Sequence, residues 1–374
     1  MLKLSFRFFT AVSFFVATTS LHAQSAQSWT RGPFARAIDA PIITPNPKSE
    51  FTDPITGEPV HWEALHTFNP AAIVRDGKIY VLYRAEDDSG KMVIGMHTSR
   101  LGLASSADGV NFTTEPAPVF YPDNDSQKDR EWPGGVEDPR LVEREDGTYV
   151  LTYTQWNRRH TDIGVATSTD LIHWSKQGPA LVGEKYQDLN YKSASIVTQV
   201  ANGRLIAAKI RGKYWMYWGE IQVRLATSPD LIHWTPVENS AGKPIVLLHN
   251  RPGHFDSAFP EVGPPSLLTD HGIVLIYNGK NAAVHGEPGI AAGAYSNGQA
   301  LFSADDPHKL LARTDKPFFK PEKPWEQGGQ YAAGTTFAEG LVVFHDKWFL
   351  YYGCADSRVG VALYDPKGQM DFDR

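Results

Sequence analysis

Several features that would assign the chain to a common class are missing. It has 374 residues and a single cysteine, Cys354, so no disulfide can form within the chain. A formal net charge of only −6 gives no indication of nucleic acid or an anionic membrane as a partner. The sequence contains no Gly-x-Ser-x-Gly elbow, no His-Glu-x-x-His pair and no glycine-rich phosphate loop. Asp123, Asp125 and Asp129 lack the distal Glu of a calcium loop, so a solvated loop is the simpler interpretation. We therefore expect no metal and no organic cofactor.

Long apolar runs are also lacking, except near the N-terminus. Lys3 and Arg7 precede an apolar stretch, residues 8–19, that is too short to span a membrane, and Ala23 is a small residue. This pattern predicts a signal peptide over residues 1–23, with cleavage after Ala23. We expect an exported protein, periplasmic or secreted, without membrane attachment after cleavage. Its oligomeric state stays open.

What the chain does have is a repeated strand–turn–strand pattern, typical of β-hairpins. The turns fall near Gly77, Gly147, Gly203, Gly272 and Asp346, at intervals of roughly 55–75 residues. A second motif follows several hairpins, in which a strand ends in Ser or Thr before an Asp-centred turn. Self-similarity at this period predicts a radial array of small sheets. We therefore predict an all-β fold, a five-bladed β-propeller in a single catalytic domain over residues 24–374.

The segment Trp132–Arg140 combines a turn with two adjacent carboxylates, Glu137 and Asp138. Loops held by a rigid scaffold are frequent places for catalytic groups. Pro139 favours an extended backbone at Asp138, and Arg140 is placed to pair with either acid. The alternative interpretation is a structural turn with a surface ion pair.

Acidic residues recur at corresponding places in the predicted units. Glycosidases need one protonated acid and one ionised carboxylate, and a propeller would gather such groups around its axis. Each acid taken alone is more often structural, but the repeated placement favours a shared site. The candidates are Glu137, Asp138, Glu220, Glu261 and Asp356.

A set of short motifs extends over most of the chain. They are Phe68-Asn-Pro-Ala-Ala, Tyr83-Arg-Ala-Glu, Gly135-Val-Glu-Asp-Pro-Arg, two copies of Asp-Leu-Ile-His-Trp, Gly263-Pro-Pro and Tyr351-Tyr-Gly-Cys-Ala-Asp. Through these motifs the chain, from about residue 60 to residue 363, resembles glycoside hydrolase family 130. The resemblance implies a five-bladed propeller that acts on β-mannoside oligosaccharides, as an inverting mannoside phosphorylase or an inverting β-1,2-mannosidase.

The resemblance implies that Asp138 is the general acid, which delivers its proton through the 3-hydroxyl of the mannose. It also implies sugar-binding roles for Asn69, Arg84, Glu137, Arg140 and Asp356. Two arginines suit this role because the guanidinium presents its donors in a fixed fork.

Glu220 and Glu261 decide between the two reactions. The phosphorylases of the family tend to carry a His-Arg pair where this chain has Trp218-Gly-Glu220, and an acid there would repel phosphate. The pattern resembles the hydrolase subgroup, in which two glutamates activate water. We therefore predict an inverting β-1,2-mannosidase, with either glutamate as the base. The alternatives are a mannoside phosphorylase, with Arg158, Arg159 and Arg211 available for phosphate, and a non-catalytic glycan-binding propeller.

Overall fold

The computed structural model describes residues 28–186 and 189–368. Within these ranges the all-β prediction is confirmed, because the regular structure consists of strands apart from two four-residue helices and one 3-10 turn. None of these helices has the length and apolar character needed to cross a membrane. Residues 1–23, interpreted above as a signal peptide, lie outside the described ranges.

The first half of the chain forms a lead-in and two antiparallel strand groups. β2 and β3 pair with each other, whereas group one (β4–β7) and group two (β8–β11) each form an antiparallel ladder in chain order. The bounds are β1 Ala35–Arg36, β2 Phe51–Thr52, β3 Pro59–Val60, β4 His66–Arg75, β5 Lys78–Glu86, β6 Ser99–Ser106, β7 Thr113–Thr114, α1 Lys128–Glu131, β8 Gly135–Glu143, β9 Tyr149–Trp156, β10 Thr161–Ser168 and β11 Ser175–Pro179, followed by the 3-10 turn Glu184–Tyr186.

Three more groups follow. Group three (β12–β18) is the most divided, group four comprises β19–β23, and group five comprises β24–β26, with β1 from the N-terminal side pairing along β26. The bounds are β12 Ala194–Ala201, β13 Arg204–Ala207, β14 Lys209–Ile210, β15 Lys213–Trp218, β16 Val223–Ser228, β17 Thr235–Pro236, β18 Val246–Leu248, β19 Phe259–Val262, β20 Ser266–Thr269, β21 Gly272–Lys280, β22 Tyr295–Phe302, β23 Leu310–Arg313, α2 Pro324–Gln327, β24 Thr336–Phe344, β25 Lys347–Cys354 and β26 Arg358–Tyr364.

The five predicted hairpins are confirmed, since each predicted turn joins two antiparallel strands. The repeated Asp motif also has a clear structural function. Asp170 Oδ1 accepts hydrogen bonds from the backbone N–H groups of Ile172 and His173, at 2.9 and 2.8 Å. Asp108 and Asp230 hold their turns in the same way. Side-chain capping of this kind fixes the turn between two antiparallel strands, which are β6 and β7, β10 and β11, and β16 and β17.

The core lies between neighbouring groups. Five apolar clusters are present among the described residues, and each contains side chains from two groups that follow one another. One of them unites the last group with the first, through Val81 and Phe349. Packing therefore passes from each group to the next and returns to the start. The five-bladed arrangement itself stays a prediction.

Candidate active site

One cavity of about 330 Å³ collects acidic, cationic and aromatic side chains from all five strand groups. Seven of the eight predicted site residues line it, namely Asn69, Arg84, Glu137, Asp138, Glu220, Glu261 and Asp356. The eighth, Arg140, lies behind this lining. The fold thus brings together acids that are more than 200 residues apart in the chain.

Two β-bulges direct side chains into the cavity. The pairing of β4 with β5 shifts register between Phe68 and Pro70, and that of β8 with β9 shifts between Glu137 and Arg140. A bulge bends its strand and re-aims the extra side chain. At these bulges Asn69 and Asp138 have φ values of 46° and 49°, a left-handed conformation that Asn and Asp tolerate better than most residues. The prediction that Pro139 holds Asp138 in an extended conformation is therefore wrong.

Arg84 organises the acids of groups one and two. Its Nη2 donates to Glu86 Oε1 at 2.6 Å and to Glu137 Oε1 at 2.8 Å, and its Nη1 donates to Asp138 Oδ1 at 3.1 Å. Asn69 Nδ2 donates to the same Asp138 oxygen at 2.8 Å. This buried guanidinium therefore fixes the positions of three carboxylates at once.

Arg140 supports the site from behind. Its Nη1 donates to the backbone oxygen of Asp138 at 2.9 Å and its Nη2 to that of Val262 at 3.1 Å, while it forms an ion pair with the buried Glu339 at 2.9 Å. The expectation that Arg140 pairs with the side chain of Glu137 or Asp138 is wrong, because Arg84 makes those pairs. Arg140 instead ties the Asp138 bulge to the β19 strand that carries Glu261.

Lys192 lies at the centre of the remaining acids. Its Nζ is 4.0 Å from Asp138 Oδ2, 3.8 Å from Glu220 Oε1 and 3.8 Å from Glu261 Oε1. Burial alone would lower the pKa of Lys192, but Glu261 and Glu220 outweigh it and raise the pKa well above its ordinary value. The ammonium therefore remains charged and shares its charge among three carboxylates.

The cavity separates the pKa values of its acids. Burial raises the pKa of Glu137 to about 7 and that of Glu261 to about 7, and desolvation does the same for Asp356. Burial also acts on Asp138, but the positive charges of Arg84 and Lys192 outweigh it and lower its pKa to about 2. In the free protein Asp138 is ionised, whereas Glu261 carries a proton part of the time at neutral pH.

The two water-activating candidates differ in their surroundings. The Glu261 side chain is 1% exposed, and Ser193 Oγ donates to its Oε1 at 2.5 Å. Its other oxygen, Oε2, is buried and has no hydrogen-bond partner among the described residues. The Glu220 side chain is 31% exposed. Glu261 is consequently the more rigidly held of the two.

Comparison with known proteins identifies the architecture around this cavity. A family model described as glycoside hydrolase family 130, beta-1,4-mannooligosaccharide phosphorylase, matches residues 42–373. The chain belongs to glycoside hydrolase family 130. Proteins of this family are mannoside phosphorylases and glycosidases, so the cavity lies in the scaffold of an enzyme that acts on mannosides.

Individual family 130 relatives align over nearly their whole length. A 1,2-beta-oligomannan phosphorylase from Thermoanaerobacter sp. (strain X514) is 32% identical over 335 residues, which cover 89% of this chain and 97% of the relative. The crystal structure of a glycosyl hydrolase from Bacteroides ovatus is 52% identical, with a TM-score of 0.89 and coverage of 91% and 96%. Another solved structure is 52% identical, with a TM-score of 0.90, and the match covers 91% of this chain and 96% of the other. Its description says that the family of mannoside phosphorylases contains glycoside hydrolases that target beta-1,2 mannosidic linkages in Candida mannan.

Sequence reasoning missed Lys192 and the aromatic lining of this family 130 cavity. Lys192 lies two residues before β12, the first strand of group three, whereas Asp138 and Glu261 lie within β8 and β19, the first strands of their groups. Comparing the starts of the units would have found it. The missed aromatic residues have no common spacing in the chain; they are Phe68, Trp156, Tyr295, Tyr331 and Phe337. Their faces can pack on the C–H surface of a sugar ring.

Proposed function

We propose that the protein is an exported inverting glycosidase that releases mannose from the non-reducing end of β-1,2-linked mannosides. In this reaction a water oxygen bonds to the anomeric carbon as the bond to the glycosidic oxygen breaks. Glu261 or Glu220 accepts the proton of the water, and Asp138 supplies a proton to the leaving oxygen through the 3-hydroxyl of the mannose. The cavity acids would thereby act on opposite faces of one sugar ring.

The observation that carries this proposal is the charge around Lys192. A phosphorylase must hold inorganic phosphate beside the anomeric carbon, which requires cationic side chains that are free to bind it. Among the described residues, the cationic side chains that line the cavity are Arg84 and Lys192, and each is surrounded by three carboxylates. Arg158, Arg159 and Arg211 do not belong to this lining. A phosphate dianion would therefore meet predominantly negative charge, whereas a neutral water would not.

The positions of the carboxylates are compatible with inversion. Since Nζ of Lys192 lies 4.0 Å from Asp138 and 3.8 Å from each glutamate, the acid and either base are separated by at most about 8 Å, a limit that includes part of the range of about 6.5–9.5 Å found in inverting glycosidases. A retaining mechanism would instead need a carboxylate placed to bond to the anomeric carbon.

Substrate binding has to change the proton distribution before the reaction can proceed. Hydrolysis requires Asp138 protonated and Glu261 ionised, the reverse of what their pKa values of about 2 and about 7 favour in the free protein. A mannoside that fills the cavity removes water from Asp138, and desolvation favours the neutral form of a carboxyl group. We infer that the bound sugar raises the pKa of Asp138.

The sugar-binding roles follow the cavity lining. Asn69 lines the cavity, and its Nδ2 donates to Asp138 Oδ1 at 2.8 Å, so it lies beside the acid at the proposed sugar site. Arg84, Glu137 and Asp356 line the same wall. We assign Arg140 an indirect role, because it holds the Asp138 backbone rather than facing the cavity.

The relatives support hydrolysis over phosphorolysis. Solved structures described as glycosyl hydrolases, or as hydrolases that target β-1,2 mannosidic linkages, are 52% identical to this chain. The curated relatives named phosphorylases are 32%, 27% and 28% identical. The proposal also includes a five-bladed propeller, supported by five strand groups and by the packing between the first and the last. Export rests on the sequence of residues 1–23 alone.

Dependence on phosphate tests the proposal. The initial rate of mannose release from β-1,2-mannobiose is measured in phosphate-free buffer and across a phosphate titration. We expect equal rates, with free mannose as the sole monosaccharide product. A rate that rises with phosphate, together with mannose 1-phosphate, would establish a phosphorylase and redirect attention to Arg158, Arg159 and Arg211 as anion-binding candidates.

A further inference from the structure

Next to the cavity lies a group of side chains with the chemistry of a metal site. His66, Glu86 and His97 each offer one ligand atom, and these atoms all lie within 4.8 Å of one another. His66 and Glu86 are directly paired across strands β4 and β5, and His97 lies just before β6. Three neighbouring strands therefore present the three groups from the same end of one sheet.

We propose that His66, Glu86 and His97 form a binding site for a divalent transition-metal ion, Zn²⁺ in particular. Two imidazoles with one carboxylate form a donor set that suits Zn²⁺ and leaves a position open for water. The sequence analysis did not anticipate this site, since the two histidines are 31 positions apart and match no metal motif.

Both imidazoles are oriented as metal ligands usually are. Nδ1 of His97 lies 3.4 Å from the backbone oxygen of Ser89, and Nδ1 of His66 lies 3.0 Å from Ser357 Oγ. Histidines that bind a metal through one nitrogen commonly use the other in such a contact, which fixes the ring and its tautomer. Nε2 is then the nitrogen of each ring that remains for a metal.

The carboxylate keeps capacity for a cation. Glu86 Oε1 accepts from Arg84 Nη2 at 2.6 Å, and its Oε2 accepts from Gln330 Nε2 at 3.0 Å. Each carboxylate oxygen has more than one lone-pair direction, so these bonds do not use the group completely. Arg84 also shares its charge with Glu137 and Asp138, which leaves a surplus of negative charge on this side of the cavity that a cation would offset.

Binding at this site would reach the catalytic acid through one contact. An ion on Glu86 draws the carboxylate away from Arg84, whose other partners include Asp138 at 3.1 Å. Zn²⁺ would then alter the charge around Asp138 without touching the sugar. The proposal concerns binding, however, and stands apart from whether the enzyme hydrolyses or phosphorolyses mannosides.

Direct metal titration tests it. Full-length protein is freed of metal with a chelator and titrated with Co²⁺, whose visible absorption reports its coordination, and then with Zn²⁺ as competitor. We expect one Co²⁺ per chain, displaced by one Zn²⁺. His97→Gln and His66→Gln should each weaken binding at least about 100-fold. His173→Gln is the matched control, because this exposed histidine pairs only with its own turn residue Asp170, and it should bind like the wild type.

Two results would overturn the proposal. One is a wild-type protein that takes up no stoichiometric Co²⁺; the other is a pair of variants that bind as tightly as His173→Gln, which would assign the uptake to surface histidines. Should either variant fail to fold, as judged by circular dichroism, X-ray absorption of the Zn²⁺-loaded wild type replaces it. That spectrum should show two imidazole nitrogens, and fewer than two would contradict the assignment.

Discussion

Replacing Asp138 by Asn isolates the catalytic contribution of the proposed general acid from that of the other site residues. The amide keeps the size of the carboxyl group, and its oxygen can still accept from Asn69 Nδ2 and Arg84 Nη1, which now lie 2.8 and 3.1 Å from Oδ1. The change removes the proton donor and one of the three anions around Lys192. We expect the fold to persist, with a melting temperature close to that of the wild type.

The expected loss depends on the leaving group. General acid catalysis contributes about 10²–10⁴-fold, or about 3–5 kcal/mol of barrier, so Asp138→Asn should reduce kcat on β-1,2-mannobiose by that factor. An aryl β-mannoside whose phenol is strongly acidic needs no proton at the leaving oxygen. On that substrate the variant should stay within about tenfold of the wild type.

Steady-state kinetics on both substrates decide the matter, with Asp356→Asn as the control. Asp356 lines the same cavity but is not proposed to transfer a proton, so its variant should lose similar factors on the two substrates. If Asp138→Asn also loses equally on both, Asp138 is not the proton donor.

Four further predictions concern the base, the pH dependence of activity, the pH dependence of stability and the backbone. Glu261→Gln should lower kcat by about 10²–10⁴-fold and Glu220→Gln by less, because Glu261 is the more rigidly held. Azide added to Glu261→Gln should restore turnover, with α-mannosyl azide as the product. Equal losses in the two variants without rescue by azide would contradict the assignment of Glu261 as the main base. Because hydrolysis needs Asp138 protonated and Glu261 ionised, the reverse of what pKa values of about 2 and about 7 favour, kcat/KM of the wild type should be level below about pH 7 and fall above it. A kcat/KM that rises through pH 7 would contradict this assignment. Because the pKa of Glu261 is raised in the folded protein, its contribution to stability is complete below the pKa of the unfolded state and is lost as pH rises through about 7. Over this pH window the melting temperature of Glu261→Gln should fall less than that of the wild type. Parallel falls would argue against a raised pKa at Glu261. Gly135→Ala should lower the free energy of unfolding by roughly 3 kcal/mol, because φ is 115° and a Cβ would meet the Ser99 backbone oxygen at 2.2 Å. The control Gly77→Ala, whose Cβ would enter open space at φ 71°, should cost about 1–2 kcal/mol. Chemical denaturation measures both, and similar costs would refute the steric argument.

Local sequence patterns predict much of the fold because hairpin turns are short-range features. Gly77, Gly147 and Gly203 each have positive φ at the turn that the sequence indicates, where glycine avoids the steric penalty of a Cβ. The Asp-centred turns close on their own backbone within three residues. Such features need no knowledge of distant strands.

The site is less predictable where contacts between groups decide it. Asp138 adopts a left-handed φ although Pro139 follows it, because the bulge and the bonds from Arg84 and Asn69 outweigh the local preference. Arg140 pairs with Glu339, which lies about 200 residues away in the chain. The conformation of Asp138 and the partner of Arg140 cannot be predicted from the sequence around the motif, since each depends on which strands become neighbours.

The stereochemistry of the released sugar tests the central claim most directly. Cleavage of the methyl glycoside of β-1,2-mannobiose, whose leaving group is a methyl mannoside that cannot mutarotate, is followed by proton NMR from the first seconds, in buffer that contains inorganic phosphate. Inverting hydrolysis predicts α-mannose as the first product, which then mutarotates, with no sugar phosphate at any time. First appearance of β-mannose would contradict inversion, and accumulation of mannose 1-phosphate would contradict hydrolysis.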